Sequence, residues 1–159
     1  MSHEAIPPSL KLKLPAMLLS LRIGDQEFAI DIMSVREIRG WMPSTPLPQS
    51  PSYVRGMINL RGVVMAIMDL GERLGLPSTM PDASSVVVVV ELKDRVVGLV
   101  VDAVSDILTV TADMVQAVPD VGRRGSNELV EGVMTIDGRI VSILALGDIL
   151  PEPMSLMAA

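Results

Sequence analysis

The stretch that decides the fold is residues 54–70, which read Val-Arg-Gly-Met-Ile-Asn-Leu-Arg-Gly-Val-Val-Met-Ala-Ile-Met-Asp-Leu. It contains two Arg-Gly pairs, Arg55-Gly56 and Arg61-Gly62. Because glycine takes positive φ without a Cβ penalty, each pair predicts a tight turn between strands. Residues 63–68 are β-branched and apolar, which is typical of a buried strand. The stretch therefore predicts a cation held at a fixed place on an apolar frame, without a nucleophile or a base.

The composition limits the possible functions. A chain of 159 residues with 49% apolar content forms one domain, or two small lobes that share a core. Three aromatic residues and 12 methionines predict an aliphatic core in which methionine fills the gaps. The formal charge of −6 argues against nucleic acid and against an anionic membrane surface, since both attract basic faces. We therefore expect no nucleic-acid partner.

The chain contains no cysteine, which excludes disulfides, thiolate metal ligands and cysteine catalysis and is compatible with a reducing cytosol. The apolar residues 16–21 are too short for a signal peptide and run directly into charged residues. The longest uninterrupted apolar run, residues 86–90, is far below the roughly 20 residues that a membrane span requires. These features predict a soluble, cytoplasmic protein without direct membrane insertion.

Short strands dominate the rest of the pattern. Hairpins are predicted around Gly24-Asp25, around residues 93–95 and around Asp137-Gly138, which is the strongest short-range turn signal present. Nine or ten short strands favour a sandwich or a barrel over alternating strands and helices. The strand–hairpin–strand pattern occurs in both halves and suggests two similar lobes. The fold class is therefore predicted to be mainly β.

A few short helical segments interrupt the strands. Residues 31–38 are predicted to form a short helix capped by Asp31, and residues 69–76 a second one that begins near Asp69. Residues 147–150 are predicted to form a helical turn, and residues 122–127 a loop. We expect residues 1–15 to be a flexible leader, residues 16–150 the folded domain, and residues 151–159 a flexible tail.

Several blocks of this sequence, in order, resemble the CheW family of chemotaxis adaptors. The blocks are residues 28–32, 35–40, 56–63, 69–70, 96–106 and 132–150. The resemblance covers residues 17–150 and implies two intertwined five-stranded SH3-like β-barrel lobes with a few short helices. It also implies a cytoplasmic adaptor, recruited to membrane-associated receptor arrays, that couples the hairpin tips of chemoreceptors to the regulatory domain of a CheA-type histidine kinase. Such an adaptor needs no cofactor and has no catalytic activity. It would be a monomer in isolation and a member of a larger signalling array.

The resemblance also assigns two sets of binding residues. A groove between the lobes would receive the helical tip of the receptor, which requires an apolar trough with a few polar groups that fix the register. The residues that match this receptor-binding surface are Val35, Glu37, Ile38, Gly56, Asn59, Arg61, Val86, Val87, Gly98, Val104 and Ile107. The residues that match the kinase-binding surface are Gly40, Leu60, Gly62 and Gly132.

Each of these residues also has a purely structural interpretation. Arg61 could form a local ion pair with Glu37, although an exposed pair contributes little stability. Arginine is enriched among residues that dominate binding energy, so a binding role and an ion pair are compatible. The four glycines Gly56, Gly62, Gly98 and Gly132 could serve positive φ or close backbone approach in bulged strands. The valines could be ordinary core residues, since alternate residues of a strand face opposite sides.

Two alternative functions stay open at this level. A CheW-like adaptor could serve an array that controls surface motility or development. A small β-barrel hydrolase could use two of the carboxylates Asp31, Asp69, Asp102 and Asp148 as acid and base. The single histidine lies in the leader, and no phosphate-binding loop or metal-ligand cluster is present in the sequence. The usual catalytic combinations are therefore missing, and an adaptor is the favoured function.

Overall fold

The computed structural model describes residues 10–77, 81–119 and 129–150. These residues form eleven strands: β1 (Ala16–Ile23), β2 (Gln26–Asp31), β3 (Val35–Gly40), β4 (Val54–Leu60), β5 (Val63–Asp69), β6 (Val86–Leu92), β7 (Arg95–Val101), β8 (Ala103–Val110), β9 (Val115–Gln116), β10 (Val130–Ile136) and β11 (Arg139–Leu144). The helical elements are the 3₁₀ turns Ile32–Ser34 and Ala112–Met114 and the short helices α1 (Leu70–Arg73) and α2 (Leu146–Ile149).

The strands form two sheets that share the chain unequally. The first sheet has the order β8-β1-β2-β11-β10-β9, and the second has the order β3-β6-β7-β5-β4. The second sheet is built from one contiguous stretch of chain, whereas the first combines strands from both ends, so the two are intertwined. The prediction of a mainly β protein with two intertwined lobes and few helices is confirmed. The first sheet differs from the expected five strands by the two-residue strand β9.

The second sheet closes on itself. Its edge strands are β3 and β4, and the chain that continues from β3 pairs with β4 through Thr45 and Met57. The Thr45 amide donates to the Met57 carbonyl at 2.8 Å, and the Met57 amide donates back to the Thr45 carbonyl at 2.7 Å. Edge closure of this kind protects backbone groups that would otherwise pair with another chain. We call the closed second sheet the second barrel and the first sheet, with its 3₁₀ turn between β8 and β9, the first barrel.

The buried side chains form three clusters, of which one joins the two barrels and the other two are the cores of the individual barrels. The seam cluster lies between the sheets and comprises Leu19, Leu21, Ile23, Phe28, Ile30, Met68, Leu70, Val88, Val90, Val97, Leu99, Val101, Leu144, Leu146, Ile149 and Leu150. The first-barrel core comprises Leu18, Ala29, Val110, Val115, Met134, Val141 and Ile143. The second-barrel core comprises Ile58, Leu60, Met65, Ile67, Val87, Val89 and Val100.

The valine run of β6 shows why this sequence gives two packed layers. Val88 and Val90 enter the seam cluster, while Val87 and Val89 enter the second-barrel core. Because successive side chains of a strand point to opposite faces, a strand buried on both faces must be apolar at every position. The uninterrupted valines therefore match the position of β6 between two cores.

The predicted hairpin turns are confirmed at three places. The turns Arg61-Gly62, Lys93-Asp94 and Asp137-Gly138 all have positive φ at both central residues. This is the backbone of a type I′ turn, whose twist matches that of the flanking strands. Gly24 also has positive φ in the turn between β1 and β2.

Two predictions of local structure are wrong. Residues 31–38 form a 3₁₀ turn followed by strand β3, although Asp31 caps the turn by accepting the Met33 amide at 3.0 Å. Gly56 does not lie in a turn, because β4 continues through it with a register shift between Val54 and Gly56. A Cβ on Gly56 would lie 2.4 Å from the Thr45 carbonyl oxygen, so this glycine permits the close approach that closes the second barrel.

The other predicted elements lie close to their expected places. Helix α1 is shorter than predicted and begins after Asp69, whose carboxylate accepts the Glu72 amide at 3.1 Å. Leu10, Leu12 and Leu14 pack against the first-barrel core. The predicted division into leader, domain and tail stays a prediction, and the predicted loop at residues 122–127 lies outside the described residues.

Candidate functional site

The turn between β4 and β5 presents Arg61 at the end of the second barrel. Arg61 and Gly62 both have positive φ, at +53° and +86°. The Asn59 side-chain oxygen accepts the Gly62 amide at 2.9 Å, which holds the turn closed. The Arg61 side chain is 66% exposed. The backbone around this guanidinium is thus fixed, while the group itself is available to a partner.

Glu37 on β3 orients this guanidinium from the opposite edge of the sheet. Arg61 Nη2 donates to Glu37 Oε2, and Arg39 Nη1 donates to Glu37 Oε1 at 3.3 Å. The contact between Arg61 and Glu37 that the sequence suggested is therefore present. Because β3 and β4 are the two edges of the second sheet, this ion pair also crosses the closure of the barrel.

Both arginines lower the pKa of the Glu37 carboxyl. Its pKa is lowered from the ordinary value of 4.5, first by the hydrogen bond from Arg61. Desolvation acts in the opposite direction, and the hydrogen bond from Arg39 and the two positive charges lower the pKa further. Glu37 is consequently ionised at neutral pH and able to hold a cation in place.

A set of half-buried valines borders the seam cluster. Val35 from β3, Val86 from β6 and Val104 from β8 all pack against that cluster without being fully covered. We call these three residues the valine rim. Val35 and Val86 belong to the second barrel and Val104 to the first, so the rim spans the two. Two predicted contacts on the same strands, Ile38 and Ile107, are 48% and 53% exposed.

Five residues assigned by resemblance lie in the interior. They are Gly56, Leu60, Val87, Gly98 and Gly132. Their assignment to binding surfaces stays a prediction, and because all five are buried in this conformation, an effect on binding would pass mainly through packing.

Two of these residues form one packing unit inside the second barrel. Val87 is 1% exposed, and a Cβ on Gly98 would lie 2.9 Å from Val87 Cγ1 and 2.6 Å from Ile67 Cδ1. Glycine at position 98 therefore makes room for the core side chains around it. Any effect of these residues on binding would be transmitted through packing.

The residues assigned to kinase binding do not form one patch. Gly40, Leu60 and Gly62 belong to the second barrel, and of these Gly40 and Gly62 are exposed. Gly132 lies on β10 of the first barrel, where an added Cβ would meet Val115 Cγ1 at 2.9 Å. Gly40 and Gly62 are thus exposed on the second barrel, Gly132 is buried in the first, and the assignment of these residues to kinase binding stays a prediction.

Sequence reasoning missed two groups of residues near Arg61. Arg39 shares the carboxylate of Glu37, and the spacing of two residues that puts Glu37 and Arg39 on one side of a strand would have revealed it. Val63 and Val64 are 47% and 61% exposed beside the turn, although residues 63–68 were predicted to form a buried strand. An apolar run does not indicate where a strand leaves the core, so the exposure of Val63 and Val64 could not be predicted from the sequence.

Comparison with known proteins agrees with this architecture. The family model described as CheW-like domain matches residues 17–154. The chemotaxis protein CheW of Rhizobium meliloti is 48% identical over 135 residues, which cover 85% of this chain and 87% of that protein.

This chain belongs to the CheW family.

A more distant relative and a solved structure also match. CheW of Klebsiella aerogenes is 34% identical over 140 residues, covering 87% of this chain and 84% of that protein. The crystal structure of the scaffolding protein TtCheW from Thermoanaerobacter tengcongensis superposes with a TM-score of 0.78 at 25% identity, covering 88% of this chain and 95% of that structure. CheW proteins are chemotaxis scaffolds that couple receptors to the kinase CheA and are not enzymes.

The four carboxylates considered for a hydrolase have structural partners in this CheW chain. Asp31 and Asp69 cap helical turns, and the Asp102 carboxylate accepts the Gly24 amide at 2.6 Å. Asp148 accepts Lys11 Nζ at 3.2 Å. Within the described ranges, no group of three or more histidine, cysteine or acidic side chains could hold a metal ion. Among these same residues, no helix has the length and apolar character that crossing a membrane requires.

Proposed function

We propose that this protein couples the cytoplasmic hairpin tips of chemoreceptors to the regulatory domain of a CheA-type histidine kinase. The receptor tip contacts Arg61 and the valine rim, and the kinase domain contacts the exposed end of the second barrel at Gly40 and Gly62. Simultaneous occupation of both surfaces fixes the geometry of receptor and kinase. Coupling then requires that the contacts differ between the active and inactive states of the kinase.

The geometry of Arg61 is the observation that carries this proposal. Its guanidinium is largely exposed, yet the turn beneath it is closed by Asn59 and the group itself is bonded to Glu37. An exposed ion pair adds little stability, so stability alone is a weak reason for an arginine on a closed turn with a carboxylate beside it. A pre-oriented arginine next to apolar surface is a common centre of binding energy in protein interfaces.

We further propose that the protein is a monomer in isolation and cytoplasmic, and that it joins membrane-associated receptor arrays through its partners. The receptors would then provide the attachment to the membrane. This part of the proposal rests on the family to which the chain belongs.

Substitution of Arg61 tests the receptor surface. Arg61→Glu places a negative charge next to Glu37 and removes the cation offered to the receptor. We expect the affinity for a receptor cytoplasmic fragment, measured by calorimetry, to fall by about 30-fold or more, since truncation of a central arginine typically costs about 2 kcal/mol. Affinity for the regulatory domain of the kinase should stay unchanged, and circular dichroism should show an intact fold.

A reciprocal variant tests the kinase surface. Gly40 has open space around its Cα, so Gly40→Glu introduces a charged side chain without an internal clash. This variant should lose affinity for the kinase domain and keep its affinity for the receptor fragment. Unchanged receptor affinity in Arg61→Glu would refute the receptor site, and unchanged kinase affinity in Gly40→Glu would refute the kinase site.

A further inference from the structure

Arg73 joins the two barrels at a point distant in sequence from every residue assigned above to receptor or kinase binding. It is the last residue of α1, which follows β5 of the second barrel. Its Nε donates to the Ile149 carbonyl at 3.0 Å and its Nη2 donates to the Asp148 carbonyl at 2.8 Å. Both carbonyls lie at the end of α2, which follows β11 of the first barrel. One guanidinium thus forms two hydrogen bonds across the seam.

The receiving end of this contact is suited to a cation. The last carbonyls of a helix have no partner within the helix, and they carry the negative end of its dipole. A basic side chain from a neighbouring element satisfies them. Lys11 also contacts this helix, since its Nζ lies 3.2 Å from the Asp148 carboxylate. The end of α2 therefore contacts two basic side chains.

The segment that carries Arg73 is itself held in place. Its guanidinium carbon lies 5.0 Å from the centre of the Tyr53 ring, a geometry that favours attraction between cation and ring. The Tyr53 carbonyl accepts the Asp69 amide at 2.7 Å, and the Asp69 carboxylate caps α1. Asp69 also accepts Arg55 Nη2 at 2.7 Å. Arg73 therefore extends from a helix that these contacts hold in place.

The other directional contacts described between the barrels lie at the link between β7 and β8, where the Asp102 amide donates to the Arg22 carbonyl at 3.0 Å and the Asp102 carboxylate accepts the Gly24 amide at 2.6 Å. The seam cluster is entirely apolar, and apolar packing depends on buried area more than on orientation. Hydrogen bonds require defined distances and angles, so they select one orientation among several that bury similar area. Loss of the Arg73 contacts should therefore change the angle between the barrels more than it changes the free energy of unfolding.

We infer that Arg73 is a positioning residue that fixes the angle between the two barrels and thereby sets the spacing of the valine rim. The inference rests on the proposed receptor contact, because Val35 and Val86 come from one barrel and Val104 from the other. A change in the angle separates these valines without altering any of them. Arg73 therefore controls receptor affinity without touching the receptor.

A distance measurement between the barrels tests this inference without any partner. The chain contains no cysteine, so Val64→Cys and Ile140→Cys give two unique labelling sites. These positions are 61% and 68% exposed and lie on the second and first barrel respectively. Double electron–electron resonance between spin labels then reports the distribution of distances. We expect a broader or displaced distribution in Arg73→Ala, and a partial return with Arg73→Lys, which can still donate to a carbonyl.

A matched control comes from Arg139, which pairs with Glu27 inside the first sheet at 2.8 Å. Arg139→Ala removes an arginine and its hydrogen bonds to a carboxylate without touching the seam, so its distance distribution should equal that of the parent chain. In calorimetry with a receptor cytoplasmic fragment, Arg73→Ala should bind about tenfold more weakly. The lost hydrogen bonds lie inside the protein, and losing about one net hydrogen bond lowers by about that factor the preference for the barrel angle that binds the receptor. Arg139→Ala should bind like the parent.

The outcomes separate this inference from the proposed function. An unchanged distance distribution in Arg73→Ala overturns the positioning role, and so does a changed distribution accompanied by unchanged receptor affinity. A changed distribution with weaker receptor binding and unchanged kinase binding supports it. If the parent chain itself does not bind the receptor fragment, the proposed function fails, while the distances still decide whether Arg73 fixes the barrel angle.

Discussion

The two Arg-Gly pairs of strand β4 and its turn are chemically identical and six residues apart, yet they occupy opposite environments. Arg55 lies partly buried against Asp69 and Glu72, at 2.7 and 3.2 Å, and Gly56 is buried under the Thr45 carbonyl. Arg61 is 66% exposed, and Gly62 has no neighbour within 4 Å of an added Cβ. The first pair closes the second barrel, whereas the second pair presents a cation at its end.

This difference shows that the environment of an Arg-Gly pair, and not the pair itself, determines its structural role. Glycine is required at both positions, but for a close approach at one and for a turn at the other. Arg55 contacts two carboxylates in a half-buried site and connects parts of the structure. Arg61 is exposed and contacts the carboxylate of Glu37, so it can exchange this partner for another. The contrast predicts stability effects at the first pair and binding effects at the second.

The largest effect is expected from the glycines. Gly56→Ala places a Cβ within 2.4 Å of a backbone oxygen at a φ of +148°. Backbone must move, so we expect a loss of about 3 kcal/mol or more in the free energy of unfolding, measured by urea denaturation. Gly62→Ala, at a φ of +86° with open space around it, should lose about 1 kcal/mol. Equal losses at the two positions would refute the distinction between close approach and turn.

The arginines should show the next largest contrast. Arg55→Ala leaves the buried Asp69 without its closest cation, and we expect a loss of about 2 kcal/mol in the free energy of unfolding. Arg61→Ala should leave the unfolding midpoint nearly unchanged, since exposed ion pairs contribute little. Its effect should appear in receptor-fragment affinity measured by calorimetry. A large stability loss in Arg61→Ala with unchanged affinity would reverse the assigned roles.

The smallest effect concerns the dependence of the Arg61 site on pH. The pKa of Glu37 is lowered in the folded protein, so the contact with Arg61 is fully present above the ordinary value of 4.5. It is lost as the pH falls through the lower folded value, because protonation removes the charge that holds the guanidinium. Receptor-fragment affinity should therefore stay constant down to pH 4.5 and decline below it. The decline should be absent in Glu37→Gln, and its persistence there would assign it to another group.

The sequence predicted the fold class because strand length and turn chemistry are local properties. Asp137-Gly138 and Arg61-Gly62 form the expected tight turns, both with the backbone of type I′. The pairing of β3 with β6 and the closure through Thr45 depend on contacts between distant residues. Such contacts leave no pattern in the sequence near either partner. The interpretation of residues 31–38 failed for this reason, because β3 is a strand through its pairing with β6.

The candidate site was predictable to a similar degree. The contact between Glu37 and Arg61 followed from opposite charge and from the resemblance, and the structure contains it. The sequence allowed both a core role and a binding role for Val87, since β6 is apolar on both faces and does not indicate which core covers each face. Arg73 carried no signal either, because the carbonyls that it binds belong to every peptide unit.

The contiguous origin of the second barrel has a consequence for synthesis on the ribosome. Strands β3 to β7 emerge in one uninterrupted piece, so this half can close while translation continues. Strand β2 must instead wait for β11, since Glu27 pairs with Val141. The nascent chain thus carries an unpaired edge at β2 until β11 has emerged, which is the stage at which a holding chaperone would protect it. Protease protection of ribosome-stalled chains of increasing length would reveal this order, and simultaneous protection of both halves would contradict it.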